Sequence, residues 1–232
     1  MNKIIIDESS FRYKTYVFND RYHAGELLTE KLKEYKDNKD AYIFAIPAGG
    51  VQVGAIIAKK LNLPLDLAIT RKIHIPWNPE AGFGAISWDG IIILNKEIIS
   101  YLKLTKEEIN QCIIEEKKII EKRMKIFRGN KPFPNIENKI AIIVDDGLAS
   151  GFSMLATIKS IKKMKPKEII VAIPTASLKA INLIKPYVNK IVCLNIRSDL
   201  FFAVADAYKE WYDLEDEDVL KILNSLNNYK RE

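Results

Sequence analysis

The sequence predicts an α/β protein built on a doubly wound parallel sheet. Three observations carry that expectation. Short apolar runs of strand length (residues 41–46, 64–70, 140–144, 168–173 and 190–194) alternate with stretches whose apolar residues recur at helical spacing. The run Ile140–Val144 is apolar without alternation, as in a strand covered on both faces. It stops at Asp145-Asp146 and passes at once into small residues, and open α/β sheets bind ligands at the carboxyl ends of their strands.

A chain of 232 residues is long enough for one substantial core with room for a small appended element. Its hydrophobic share of 48% fits a soluble globular protein. No apolar run approaches the length needed to cross a bilayer, and the start MNKIIIDESS is too short and too acidic for a signal peptide, so a cytoplasmic location without membrane contact is expected. Cys112 and Cys193 have no His or Cys at metal spacing and are expected as small buried hydrophobes. The net charge of +6 is spread among interspersed acids and bases, which argues against nucleic acid as a partner.

Taken in order, residues 4–6 suit a short strand. Asn19 or Asp20 can cap a helix running to about Lys36, with Leu27, Leu28 and Leu32 inward; His23 lies on it as a surface or satisfied residue. The strand at 41–46 ends in Pro47-Ala48-Gly49-Gly50 before a helical run to Leu61. A double glycine there permits close approach of a ligand, or simply makes a tight turn. The strand at 64–70 is expected to deliver Arg71 and Lys72 at its carboxyl end, where a guanidinium fork and an ammonium can receive a polyphosphate or remain solvated.

In residues 71–94, Pro76, Pro79, Gly82 and Gly84 argue against a regular element in the first half, and Asp89-Gly90 between apolar runs signals a hairpin. Long irregular loops of this kind are often lids, and His74 within it is a candidate acid or base. Thr105 to Glu108 is a capping box that opens a helix lasting to about Phe127. A proline-containing connector then leads to the acidic strand.

Beyond Asp145 and Asp146, the residues Gly147, Ala149, Ser150, Gly151 and Ser153 enter a helix marked by Leu155, Ile158 and Ile161. Small side chains let backbone N–H groups close around a phosphate, with hydroxyls and the helix start adding donors. Two adjacent carboxylates beside such a cradle suit a sugar diol and a Mg2+ ion. A P-loop is excluded, because no G-x-x-x-x-G-K-[ST] occurs; a serine nucleophile elbow is excluded, because no second glycine follows Ser153. A turn whose acids merely cap the next helix remains open. Downstream, Ser177 caps a helix or contributes to a pocket, and an aromatic tail (Tyr208, Trp211, Tyr212) precedes a terminal helix.

The run IIVDDGLASGFS resembles the signature of type I phosphoribosyltransferases, and the resemblance extends over about residues 18–225 of a single 1–232 domain. It implies that Asp145 and Asp146 hold the ribose hydroxyls of phosphoribosyl pyrophosphate and, directly or through water, Mg2+. It further implies that Ala149, Ser150, Gly151, Phe152 and Ser153 hold the 5'-phosphate, and that Ala48, Gly49, Gly50, Arg71 and Lys72 receive pyrophosphate. Residues 71–94 would form the flexible loop and hairpin that closes the site. Residues 201–232 would form a hood, in which Tyr208, Trp211 and Tyr212 flank a planar acceptor or pack the hood's own core. The implied reaction moves the phosphoribosyl group to a nitrogen nucleophile, a nucleobase or related base, in a protein that pairs as a homodimer.

The wording RKI..P.NPE further resembles a bacterial and archaeal subgroup of that family. Ala149 stands where hypoxanthine-guanine enzymes carry an Asp, which disfavours that acceptor class; Phe152 is larger than the residue usual in the phosphate loop, and Ala48 replaces a common basic residue. A non-catalytic sensor of phosphoribosyl pyrophosphate, possibly RNA-binding, is the rival reading.

Overall fold

The computed structural model describes residues 4–199 and 201–229, so Leu200 and the outermost residues of the expected 1–232 domain and 201–232 hood lie outside the described residues. In chain order the elements are β1 (Ile4–Ile6), α1 (Arg21–Lys31), β2 (Ala41–Ala45), α2 (Gly49–Leu61), β3 (Leu65–Leu67), β4 (Thr70–Ile75), β5 (Asn78–Ser87), β6 (Ile92–Leu94), α3 (Lys96–Leu102) and α4 (Lys106–Arg123). There follow β7 (Ile140–Val144), α5 (Phe152–Lys163), β8 (Glu168–Ser177), α6 (Leu178–Ile184), β9 (Lys190–Arg197) and α7 (Asp216–Tyr229).

Six parallel strands pair in the order β1-β9-β8-β7-β2-β3. The period of two along each strand divides its side chains between two faces. On β7, Ala141 and Ile143 join the cluster under α5 and α6, while Ile142 and Val144 join the one under α1 and α2. All four are fully buried, each isoleucine contributing about 1.5–3 kcal/mol, which is why this strand reads as continuously apolar.

The order places the ligand-binding end. After β2 the chain moves outward to β3; after β7 it moves the opposite way, to β8 and β9. The switch point therefore lies between β2 and β7, whose last residues Ala45 and Val144 are register partners. The 47–50 loop and Asp145-Asp146 emerge side by side there because of this pairing.

Two expectations need correction. The stretch 64–70 is not one strand: β3 ends at Leu67, Ala68 N donates to Ala45 O, and the chain leaves the main sheet. Arg71 and Lys72 consequently lie within β4, part of a separate antiparallel sheet β4-β5-β6. The first half of 71–94 is likewise regular, with β5 containing Pro79, Gly82 and Gly84. Glycine here serves close packing within the sheet: a Cβ at Gly84 would lie 2.5 Å from Ile93 O, and one at Gly82 would strike the Lys72 side chain. The Asp89-Gly90 hairpin is present, with Gly90 at φ +83°. This small sheet docks on α5 through hydroxyl pairs, Thr70 with Thr157 at 2.8 Å and Ser87 with Ser160 at 2.6 Å.

Helix starts agree with the sequence where a cap was visible. Asp20 accepts from His23 N at 2.7 Å, and the Thr105–Glu108 capping box is complete. Among the described residues no helix is long and apolar enough to cross a membrane.

Candidate functional site

Two helices begin beside the acid pair, α2 after β2 and α5 after β7, and neither has a side-chain cap. By contrast α1, α3, α4 and α6 are each capped by Asp20, Asn95, Thr105 and Ser177. The first N–H groups of a helix have no internal partner and carry its positive dipole end. Uncapped starts on either side of the switch point thus present donors to an external anion.

At the first, Gly49 and Gly50 are required by crowding. A Cβ on Gly49 would fall inside the Asp146 carboxylate, and one on Gly50 would lie 2.8 Å from Asp145 Cα and Val144 O. The Pro47–Ala48 peptide is cis, and Val51 N closes on Ala48 O. At the second, Gly151 takes φ +82°, a left-handed conformation that costs other residues about 1–2 kcal/mol. Ala149 and Ser150 are exposed, and Phe152 and Ser153 half-buried. Ser177 Oγ donates to Ala149 O at 2.7 Å, so it caps α6 and braces the loop at once. Phe152, the oversized loop residue, helps to line a cleft with Ser150, Lys96 and Lys179.

Asp145 and Asp146 differ in surroundings. Burial, then the neighbouring Asp146 carboxylate, push Asp145 well above the usual carboxylate range. Asp146 instead accepts from Arg21 Nε at 2.9 Å. Nothing in the sequence distinguishes Arg21, one basic residue in a helix's first turn. Its side chain is only 4% exposed, its Nη1 donates to Tyr212 O at 2.7 Å, and its guanidinium lies 3.9 Å from the Trp211 ring centroid.

The aromatic tail divides. Tyr208 is buried against Phe18 and Trp211, and its hydroxyl donates to Asp146 O at 2.6 Å; it packs the hood rather than flanking an acceptor. Trp211 and Tyr212 remain partly exposed, and Tyr212 Oη bonds Gln52 on α2. In the terminal helix α7, Val219 belongs to the cluster under the antiparallel sheet, and Asp216 pairs with Arg123 of α4.

Among the described residues, no hydrogen bond or ion pair links Arg71, Lys72 or His74 to the acid pair. Arg71 Nε bonds Glu116 Oε2 at 2.8 Å, and His74 Nδ1 contacts Glu116 Oε1 at 2.6 Å. A bulge between Ile73 and His74 brings both side chains to the same carboxylate. Burial raises the Glu116 carboxyl, but the bonds from His74 and Arg71 outweigh it and hold the group below its usual range. The sequence carried a signal for Glu116: an acid four residues from both Cys112 and Ile120, on the buried stripe of α4. Lys72 donates to Glu80 O at 2.8 Å, and burial pulls its ammonium down. Ala48, Val51 and Ile73 belong to one apolar cluster that also takes in residues of α4 and α7, while the bases of β4 bond other partners.

No group of three or more His, Cys, Asp or Glu poised to hold a metal occurs among the described residues. Two adjacent carboxylates suit Mg2+ only where a ligand brings further oxygens, the usual arrangement for a magnesium phosphate complex. Asp145 and Asp146 meet that description.

Comparison with known proteins shows the family. A family model described as phosphoribosyl transferase domain matches residues 20–210. Proteins of two Mycobacterium tuberculosis strains, named "Putative phosphoribosyl transferase", are 31% identical over 210 residues, 90% of this chain and 46% of theirs. The chain thus spans about half the length of the curated relatives it matches. A Thermus thermophilus protein of known crystal structure is 31% identical with a TM-score of 0.70, over 90% of this chain and 98% of that one. On the family match and these relatives, the chain belongs to the phosphoribosyl transferase domain family.

Proposed function

We propose that this chain transfers the 5-phosphoribosyl group of phosphoribosyl pyrophosphate to a nitrogen nucleophile and releases pyrophosphate. The observation that carries the reading is the acid pair at the β2–β7 switch point, flanked by the two helix starts that lack side-chain caps. A ligand with a diol between two phosphate-bearing ends fits such a site.

In this reading the loop from Ala149 to Ser153 and the start of α5 bind the 5'-phosphate. The backbone of Ala48, Gly49 and Gly50 at the start of α2 binds pyrophosphate, with Arg71 and Lys72 of β4 as further cations. Asp145 and Asp146 orient the ribose hydroxyls. Mg2+ would be held by the same two carboxylates, directly or through water, and would offset charge on the leaving pyrophosphate. As the bond from C1 to pyrophosphate breaks, positive charge develops on the ribose and negative charge on the departing oxygens, so fixed dipoles and a fixed diol lower the barrier. The partly exposed rings of Trp211 and Tyr212 stand at the acceptor side, and Ala149 leaves no acid there for a 6-oxopurine.

Calorimetric titration with phosphoribosyl pyrophosphate, with and without Mg2+, tests the donor site in wild type and in D145N/D146N. Mg2+-dependent binding that disappears in a folded double mutant is expected. Absence of binding to wild type would overturn the reading. Donor binding without transfer to any member of a broad acceptor panel would assign the chain to sensing instead.

A further inference from the structure

We propose that Arg21 is a positioning residue that couples the donor's ribose site to the hood over the acceptor side. The proposal deepens the function above and rests on Asp146 holding a ribose hydroxyl.

One guanidinium makes three contacts that belong to different parts of the molecule. Its Nε bonds Asp146 Oδ2 at 2.9 Å, its Nη1 bonds the Tyr212 carbonyl at 2.7 Å, and its plane covers Trp211 at 3.9 Å, with Tyr212 at 5.7 Å. It is buried, so these contacts are made away from bulk water, where a charge-assisted bond and a cation–π contact are strongest. The same chain segment is fastened twice more to the donor side: Tyr208 Oη donates to Asp146 O at 2.6 Å, and Gln52 Nε2 to Tyr212 Oη at 3.2 Å, from the helix that starts at Gly49.

A hydroxyl arriving at Asp146 bonds a carboxylate that Arg21 already holds: at Oδ2 it shares the oxygen with Nε, and at Oδ1 it changes the charge that Nε meets. Any adjustment of the guanidinium changes its stacking on Trp211 and its hold on the Tyr212 carbonyl. Occupancy of the ribose site is thereby transmitted to the two aromatic residues that stay partly exposed. Arg21 itself need not touch the donor. Lysine, with a point charge and no planar fork, can neutralise Asp146 but cannot hold all three contacts.

The test uses the intact chain and the magnesium complex of phosphoribosyl pyrophosphate as probe. Tryptophan emission is followed during titration of wild type and W211F, whose difference isolates Trp211 from Trp77 and Trp88, while calorimetry on the same samples reports donor binding. A saturable Trp211 change in wild type, with the calorimetric midpoint, is expected. R21Q is expected to bind donor about tenfold more weakly or worse, as removal of an outer-shell partner commonly does, and to lose the Trp211 response. R21K should recover part of the affinity without the response, and it keeps the test decisive if R21Q fails to fold. Donor binding to wild type with silent Trp211, or an unchanged affinity and response in R21K and R21Q, overturns the coupling alone. No calorimetric donor binding to wild type overturns the donor reading together with it.

Discussion

Replacing Thr157 by valine should cost more than replacing its partner Thr70, although both mutations remove one hydroxyl from the same pair. Thr70 and Thr157 are 4% and 0% exposed, and their hydroxyl oxygens are 2.8 Å apart. Thr157 Oγ1 donates to Ser153 O at 3.0 Å, so within the pair Thr70 must be the donor and Thr157 the acceptor. In T70V, Thr157 keeps its backbone bond and only one net hydrogen bond is lost, about 1 kcal/mol. In T157V the Thr70 hydroxyl is left buried without a partner, at a cost of about 1–3 kcal/mol. The double mutant T70V/T157V leaves no orphan, so its cost should fall short of the sum by about 1 kcal/mol. Urea unfolding of the four proteins, with constant m-values, measures this cycle. If T157V costs no more than T70V, or the two effects add, the antiparallel sheet is not docked on α5 through this pair. In that case the irregular, mobile reading of residues 71–94 would regain ground.

Gly49→Ala should cost about 1–3 kcal/mol of stability, because its Cβ collides with the Asp146 carboxylate and approaches Arg21 Nε to 3.1 Å. Donor affinity of the folded variant, measured by calorimetry, should drop at least about tenfold; unchanged stability and affinity would refute the close approach. Asp89→Asn should lose acid-dependent stability while keeping a favoured Asn-Gly turn. Burial raises the Asp89 carboxyl, but bonds from Ser160, Ser87 and Lys163 outweigh it and bring the group from 3.8 down to about 2. A folded value below the unfolded one stabilises at pH above the unfolded value and is lost as pH falls through about 2. A shift of that size is worth roughly 2 kcal/mol when fully buried, reduced by partial exposure to about 1. The stability gap between wild type and D89N should thus be about 1 kcal/mol at pH 7 and close between pH 4 and 2; a gap that does not narrow would refute the assignment.

What the sequence determined by itself is local chemistry. Unbroken apolar runs marked the strands because parallel strands are buried on both faces, and Thr105 with Glu108 marked a helix start because both capping bonds lie within one turn. The acids and small residues of 145–153 could be proposed as a ligand loop from sequence because the groups that would meet the ligand are contiguous. Gly82 and Gly84 misled because a breaker in isolation becomes a packing residue when a neighbouring strand presses against it, and Pro79 because it is tolerated at the exposed start of β5; neither context is written locally. For Tyr208 the sequence left two readings open, because burial is decided by what lies opposite, here Phe18 and Trp211.

Only the tertiary structure decided how charges pair. Arg21 and Asp146 are separated by 125 positions and meet because α1 and β7 are brought together, while Glu116 captures Arg71 and His74 from a strand more than forty positions away. Such pairings depend on which elements become neighbours, and a buried charge settles with whichever partner lies within bonding distance. The sequence could name the acids of the site; the fold chose the arginine that holds one of them and the aromatic residues that share it.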